Sequence, residues 1–182
     1  MKISIFQSNY IPWKGYFDLI DCVDIFYFLD NVEYSINTFR NRNKIKSKNS
    51  TFYLTVPLQQ NSSKENISEK KFANKDWQNK HWKSITQTYS KSKNFKVISN
   101  ILKPFYVKDK FTNLSDLNQN LIIAICQFLK IKTKLIHHDE INLVNSDKNQ
   151  RLIEIIKKLK CDTYVSSPVA KNYLDEEMFL KQ

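Results

Sequence analysis

At 182 residues, with 41% hydrophobic and 13% aromatic side chains, the chain is long enough for one globular domain and too apolar for wholesale disorder. Its longest apolar run, from Leu121 to Ile125, is far short of the roughly 20 residues of a membrane helix, and a lone glycine, Gly15, excludes a Walker A loop and a GxGxxG fingerprint. The net charge of +11 invites a nucleic-acid reading, but only Arg40, Arg42 and Arg151 of the 29 basic residues are arginine and the lysines are scattered, so no specific nucleic-acid partner is expected.

The chain opens on a strand pattern, Lys2 to Gln7, with no signal-peptide pattern before it. Cys22, Cys126 and Cys161 are far apart and form no CxxC pair, which fits free thiols in a reducing cytoplasm. Ser8 to Lys14 is a polar-aromatic loop, and Gly15 to Val23 carries Tyr16, Leu19, Ile20 and Val23 at helical spacing. The unbroken apolar run Ile25 to Leu29, stopped by Asp30-Asn31, predicts a buried parallel strand and thus a βαβ start. A further strand covers Thr51 to Val56 before Pro57, and the polar stretch Gln59 to Lys70 predicts an exposed loop.

Helices follow over Asp76 to Ser90, over Asn94 to Leu102, and from an Asn113 cap to about Leu129, the last with Leu117, Leu121, Ile125 and Phe128 inward. Lys134 to His138 predicts a short strand. Ser146 or Asp147 caps a helix over Lys148 to Leu159, Asp162 to Ser166 is a last strand, and Asp175 starts a short final helix. The pattern predicts one α/β domain over the whole chain. Its core is an open, mostly parallel, Rossmann-like sheet, with a helical insertion at about residues 71–130. If the strands ending at Gln7, Leu29 and Ser166 are parallel neighbours, the segments after them share the rim where such sheets bind ligands.

Four segments offer chemistry. Gln7, Asn9, Tyr10 and Trp13 put amides and flat aromatic faces in one loop, against the competing reading of a rigid structural turn. Arg40, Arg42, Lys44 and Lys46 fall on one side of an extended segment, with Asn41 and Asn43 on the other; such a basic row suits a diphosphate, or it is a charged edge strand. His81 lies between Trp77 and Trp82 on a helix and is a candidate general base or a packed histidine. Ser166, Ser167, Lys171 and Tyr173 follow the last strand as a second substrate loop or a plain turn. His137-His138 alternate across a strand and cannot readily chelate one ion, so no metal is expected.

Taken together, three blocks resemble the WbqC-like family: Gln7-Ser8-Asn9-Tyr10-Ile11-Pro12-Trp13 with Gly15-Tyr16-Phe17, then Leu29 through Ser35, then Arg40-Asn41-Arg42-Asn43-Lys44-Ile45. Looser matches follow at Leu54-Thr55-Val56-Pro57, the His81 helix and the stretch from Asp162 to Leu174. Ser8 stands where the family usually has proline, and family chains tend to continue past the equivalent of Phe179, which implies a C-terminally shortened member. The resemblance implies bacterial surface-polysaccharide (O-antigen) biosynthesis, with transfer of a glycyl or similar acyl group to a nucleotide-activated or lipid-linked sugar. ATP or an activated acyl donor would be the co-substrate. It implies His81 and Asp30 as catalytic groups, with Gln7, Tyr10, Trp13, Arg40, Asn41 and Arg42 at the site. Asn9, Asn31, Tyr34 and Lys44 fall within the matching blocks and complete the substrate-binding set. Two other readings stand beside it: acyl-adenylate formation by a nucleotidyltransferase-like enzyme, and a basic binding module for RNA or another acidic partner.

Overall fold

The computed structural model describes residues 1–60, 64–107, 110–145, 147–168, 170 and 174–180, the last without its side chain. The chain gathers into two compact units, one of residues 1–7, 13–29 and 130–182, the other of 8–12 and 30–129.

The first unit is a parallel sheet flanked by helices. β1 (Lys2–Phe6), β2 (Ile25–Phe28), β5 (Lys134–Ile136) and β6 (Thr163–Tyr164) lie in the order β5-β2-β1-β6, all parallel. Ile3 pairs with Ile25 and Ile5 with Tyr27. Strand alternation then sends Ile3, Ile5, Ile25 and Tyr27 to one face, where Leu152 and Ile155 of α6 (Lys148–Lys158) cover them. Phe6 and Phe26 take the other face and meet Tyr16 of α1 (Lys14–Asp21) edge-on at 5.8 and 5.5 Å. Both faces are therefore covered, which is what the unbroken Ile25–Phe28 run requires. The βαβ start and the parallel α/β sheet are as the sequence indicates. Asp147 is the cap of α6, its carboxylate accepting the Asn149 and Gln150 N–H groups; Ser146 lies outside the described residues.

The second unit is a two-stranded antiparallel ribbon wrapped by helices. β3 (Arg42–Lys46) pairs with β4 (Thr51–Thr55), Lys44 opposite Tyr53 and Ile45 opposite Phe52. Around them lie α2 (Asp76–Tyr89), α3 (Phe95–Leu102), α4 (Pro104–Val107) and α5 (Leu114–Leu129). Ile45, Leu54, Val56, Trp77, Ile85, Tyr106, Leu117 and Leu121 are buried together with Tyr10. Asn113 caps α5 as expected, its Oδ1 accepting the Asp116 N–H. Phe128 is a correction: it is 44% exposed, because the inward stripe of this helix follows Leu114, Leu117 and Leu121 and has drifted off by the last turn. Among the described residues no helix is long and apolar enough to cross a membrane.

Candidate functional site

The site begins with a strained turn. Ser8 N–H donates to Asp30 Oδ1 at 2.8 Å, and Tyr10 N–H donates to the Phe39 carbonyl at 3.0 Å. Between Tyr10 and Pro12, Ile11 sits at φ 45°. A β-branched residue in the left-handed region costs about 1–2 kcal/mol and persists only where its surroundings hold it. Here the holder is Asn43 of β3, whose side-chain amide donates to the Ile11 carbonyl at 2.5 Å and to the Tyr10 carbonyl at 3.3 Å. The Asn-rich segment is thus a clamp on the turn.

The clamp sends the Tyr10 ring into the core, where it is fully buried. Its hydroxyl lies 2.8 Å from His81 Nδ1 and 2.8 Å from the Tyr106 hydroxyl. His81 also bonds to the Thr55 main chain, and its desolvation holds the imidazole at a pKa of about 4, so the ring is neutral at neutral pH. Burial pushes both tyrosines well above the usual phenol range. The Thr55 bond raises the imidazole pKa and so accepts its one N–H, which leaves Nδ1 to accept from the Tyr10 hydroxyl and Tyr10 to accept from Tyr106. The chain is neutral and fully hydrogen-bonded, as buried polar groups must be.

A second buried hub surrounds Asp30. Besides Ser8 N–H, its carboxylate accepts the Ser115 hydroxyl at 2.5 Å and the Gln119 amide at 2.7 Å. Gln119 donates also to Ser115, and the neighbouring Asn118 donates to the Arg40 carbonyl at 2.8 Å. One face of α5 therefore ties together the two ends of the site, the Ser8 turn and the Arg40 segment.

The basic residues lie on that segment. Arg40 Nη1 donates to Asn9 Oδ1 at 3.2 Å, and Arg42 donates to the Asn37 carbonyl at 2.6 Å and its side chain at 3.2 Å. Asn41 is buried and donates to the Val56 carbonyl at 2.9 Å. The Arg42 guanidinium lies 4.6 Å from the Tyr53 ring centre and the Lys44 ammonium 5.2 Å, so one exposed tyrosine ring carries two cations. Arg42 and Arg40 both draw the Tyr34 phenol pKa downward, against a larger upward push from burial. The result is a half-exposed Tyr34-Arg40-Arg42 cluster, with Lys70, ion-paired to Glu65 at 2.5 Å, above the Tyr34 ring.

A family model, the WbqC-like protein family, matches residues 7–182, nearly the whole chain. The chain belongs to the WbqC-like protein family. A relative, "Uncharacterized protein Rv1507c" of Mycobacterium tuberculosis (strain ATCC 25618 / H37Rv), is 39% identical over 179 residues, covering 98% of this chain and 77% of that protein. No solved structure matches.

In this WbqC-like chain the second unit brings together Asn9, Tyr10, Asp30, Arg40, Asn41 and His81 through the contacts above, with Arg42 and Lys44 on the same ribbon. Asn31 follows Asp30 and is half-buried. Gln7, Trp13, Ser166 and Ser167 belong to the first unit. There the Gln7 carbonyl accepts the Tyr16 hydroxyl at 3.0 Å, and Trp13 is 68% exposed with its ring over Gly15. Lys171 and Tyr173 lie outside the described residues. Sequence reasoning missed Tyr106, Tyr53, Ser115, Asn118 and Gln119. A signal for the last three was present: polar residues at i, i+3 and i+4 on a helix whose other inward positions are leucine.

Proposed function

We propose that this WbqC-like protein is an acyltransferase of bacterial surface-polysaccharide biosynthesis, moving a glycyl or other aminoacyl group onto an activated sugar. The observation that carries the reading is the Tyr34-Arg40-Arg42 cluster seated against the Asn9-Tyr10 turn. Two guanidinium forks that both act on one phenol match the charge and the bidentate acceptors of a sugar-linked diphosphate. In an arginine-poor chain this is the one place where two are concentrated. Lys44 adds charge, and Tyr53, held flat by its two cations, offers a stacking face for a base or sugar ring.

In this reading Asp30 and His81 act as positioning residues. Asp30 spends its lone pairs on Ser8, Ser115 and Gln119, and His81 spends both ring nitrogens on Tyr10 and Thr55. Each fixes one flank of the turn that bears Asn9, and Asn9 in turn orients Arg40. Such a preorganised anion site holds the acceptor for attack on the acyl donor without reorganising at that moment.

The test is a thermal-shift panel of nucleotide sugars. At least one is expected to raise the melting temperature, and Arg42→Ala is expected to remove most of that rise while leaving the unliganded melting point near its original value. A panel with no shift ends the proposal.

A further inference from the structure

Beside the site, within the second unit, lies a cavity of about 350 Å³. Three walls make it. α2 contributes Trp82, Ile85 and Tyr89, and α3 contributes Phe95, Ile98, Ser99 and Leu102; each set is one helix face. Lys44 and Ile45 of β3 and the strained Ile11 form the third wall. The faces of α2 and α3 touch where Trp82 stacks on Phe95 and line the space between them elsewhere. α3 shows the consequence: five of its eight residues are apolar, and none is fully buried. Trp82 stacks on Phe95 at 6.4 Å and on Tyr106 at 5.9 Å, so the wall is continuous with the hydrogen-bonded chain that ends at His81.

Charge names the occupant. No acidic residue occurs from Tyr34 to Lys64, or from Trp77 to Val107, and these two stretches supply every wall except Ile11. Lys91, Lys93 and Lys96 are exposed and alternate with the lining residues Ser92, Asn94 and Phe95. We propose that this cavity binds an amphiphile: an aliphatic chain in the apolar space, with an anionic head held by the lysines around Ser92 and Asn94. If each methylene takes the ~30 Å³ of a water molecule, the space holds about twelve. Lys44 borders both this space and the Tyr53 ring that carries Arg42, but no arginine lines the cavity, and the proposal stands whether or not the arginine cluster binds a nucleotide sugar.

The experiment is calorimetric titration of the full chain with decyl phosphate below its micelle concentration. Hexyl phosphate and decanol separate the contributions of chain and head. Saturable one-to-one binding is expected. Hexyl phosphate should bind on the order of a hundredfold more weakly, since four fewer methylenes are buried. Decanol should be weaker by about tenfold, and replacing Lys91, Lys93 and Lys96 with alanine should weaken decyl phosphate by about the same factor. Ser99→Phe, which fills the cavity, should abolish binding; the chain-length comparison on the unaltered protein decides the matter should that variant not fold. The absence of saturable binding overturns the proposal, as does hexyl phosphate or decanol binding as tightly as decyl phosphate. Attachment to anionic phospholipid vesicles without uptake of dispersed decyl phosphate overturns it too, because that is a membrane-surface site.

Discussion

Lowering the pH tests the neutral histidine directly. The folded protein holds the His81 pKa at about 4, against an ordinary value of 6.5, because burial disfavours the imidazolium and its Thr55 bond restores only part of the loss. Between those two values the unfolded chain takes up a proton that the folded chain refuses. Stability therefore rises with pH across this window; the contribution is complete above about 6.5 and disappears as the pH falls towards 4. At about 1.4 kcal/mol per pH unit, the span amounts to about 3 kcal/mol. Depressed carboxylates such as Glu154, at about 2, lose their contribution lower on the scale, so the range from pH 6.5 to 5 isolates the histidine. The assay is urea unfolding at half-unit pH steps, wild type beside His81→Asn, whose amide oxygen can still accept from Tyr10. The slope should vanish in the variant, and the His81 ring resonances of the folded wild type should not titrate near 6.5. Equal slopes in the two proteins, or a ring that titrates at its ordinary value, would refute the argument.

Asp30→Asn sets an amide N–H against one of three donors and should cost about 3 kcal/mol, read as a lowered melting temperature; a variant that melts with the wild type would show that the hub does not need three acceptors there. Asn43→Ala frees the Tyr10 and Ile11 carbonyls and should cost about 1–2 kcal/mol, with faster amide exchange at Ser8 to Ile11. Unchanged exchange there would mean that something other than Asn43 holds the turn. Gly15→Ala places a Cβ 2.2 Å from the Trp13 ring, which is exposed and can swing away. Stability should change by less than about 1 kcal/mol, since helix propensity favours alanine, while tryptophan anisotropy falls. A loss of several kcal/mol would show that the ring is held in place.

The parts of the fold visible in sequence are those that solvent separates. Ile3 and Ile5 alternate with polar or half-buried neighbours, Ile25 to Phe28 is apolar throughout, and Tyr16 and Ile20 repeat at helical spacing, so the parallel sheet and its first helix could be read. The basic segment was harder. Alternation put Arg42 and Lys44 on one side, which holds, but no local pattern says that Asn41 and Asn43 spend their amides on main-chain carbonyls of other segments. His81 shows the same limit. Its place on an inward face was legible, whereas its neutral state follows from burial among groups far away in the chain, Tyr10 among them at 71 residues' separation. The Ile11 conformation left no trace, because isoleucine is among the residues least expected there.

The five residues from Ser8 to Pro12 leave one compact body, enter the other and return. A clone beginning at Asp30 and ending at Leu129 would look like a natural excision, since both cuts fall at the boundaries of a continuous stretch. It would nevertheless lack the Tyr10 side chain, leaving an aromatic-sized hole among Trp77, His81 and Tyr106 and stranding two polar groups inside it. Such a fragment should be soluble only with that short peptide added back in trans, so the amino-terminal motif serves as the keystone of a body to which it is barely joined in sequence.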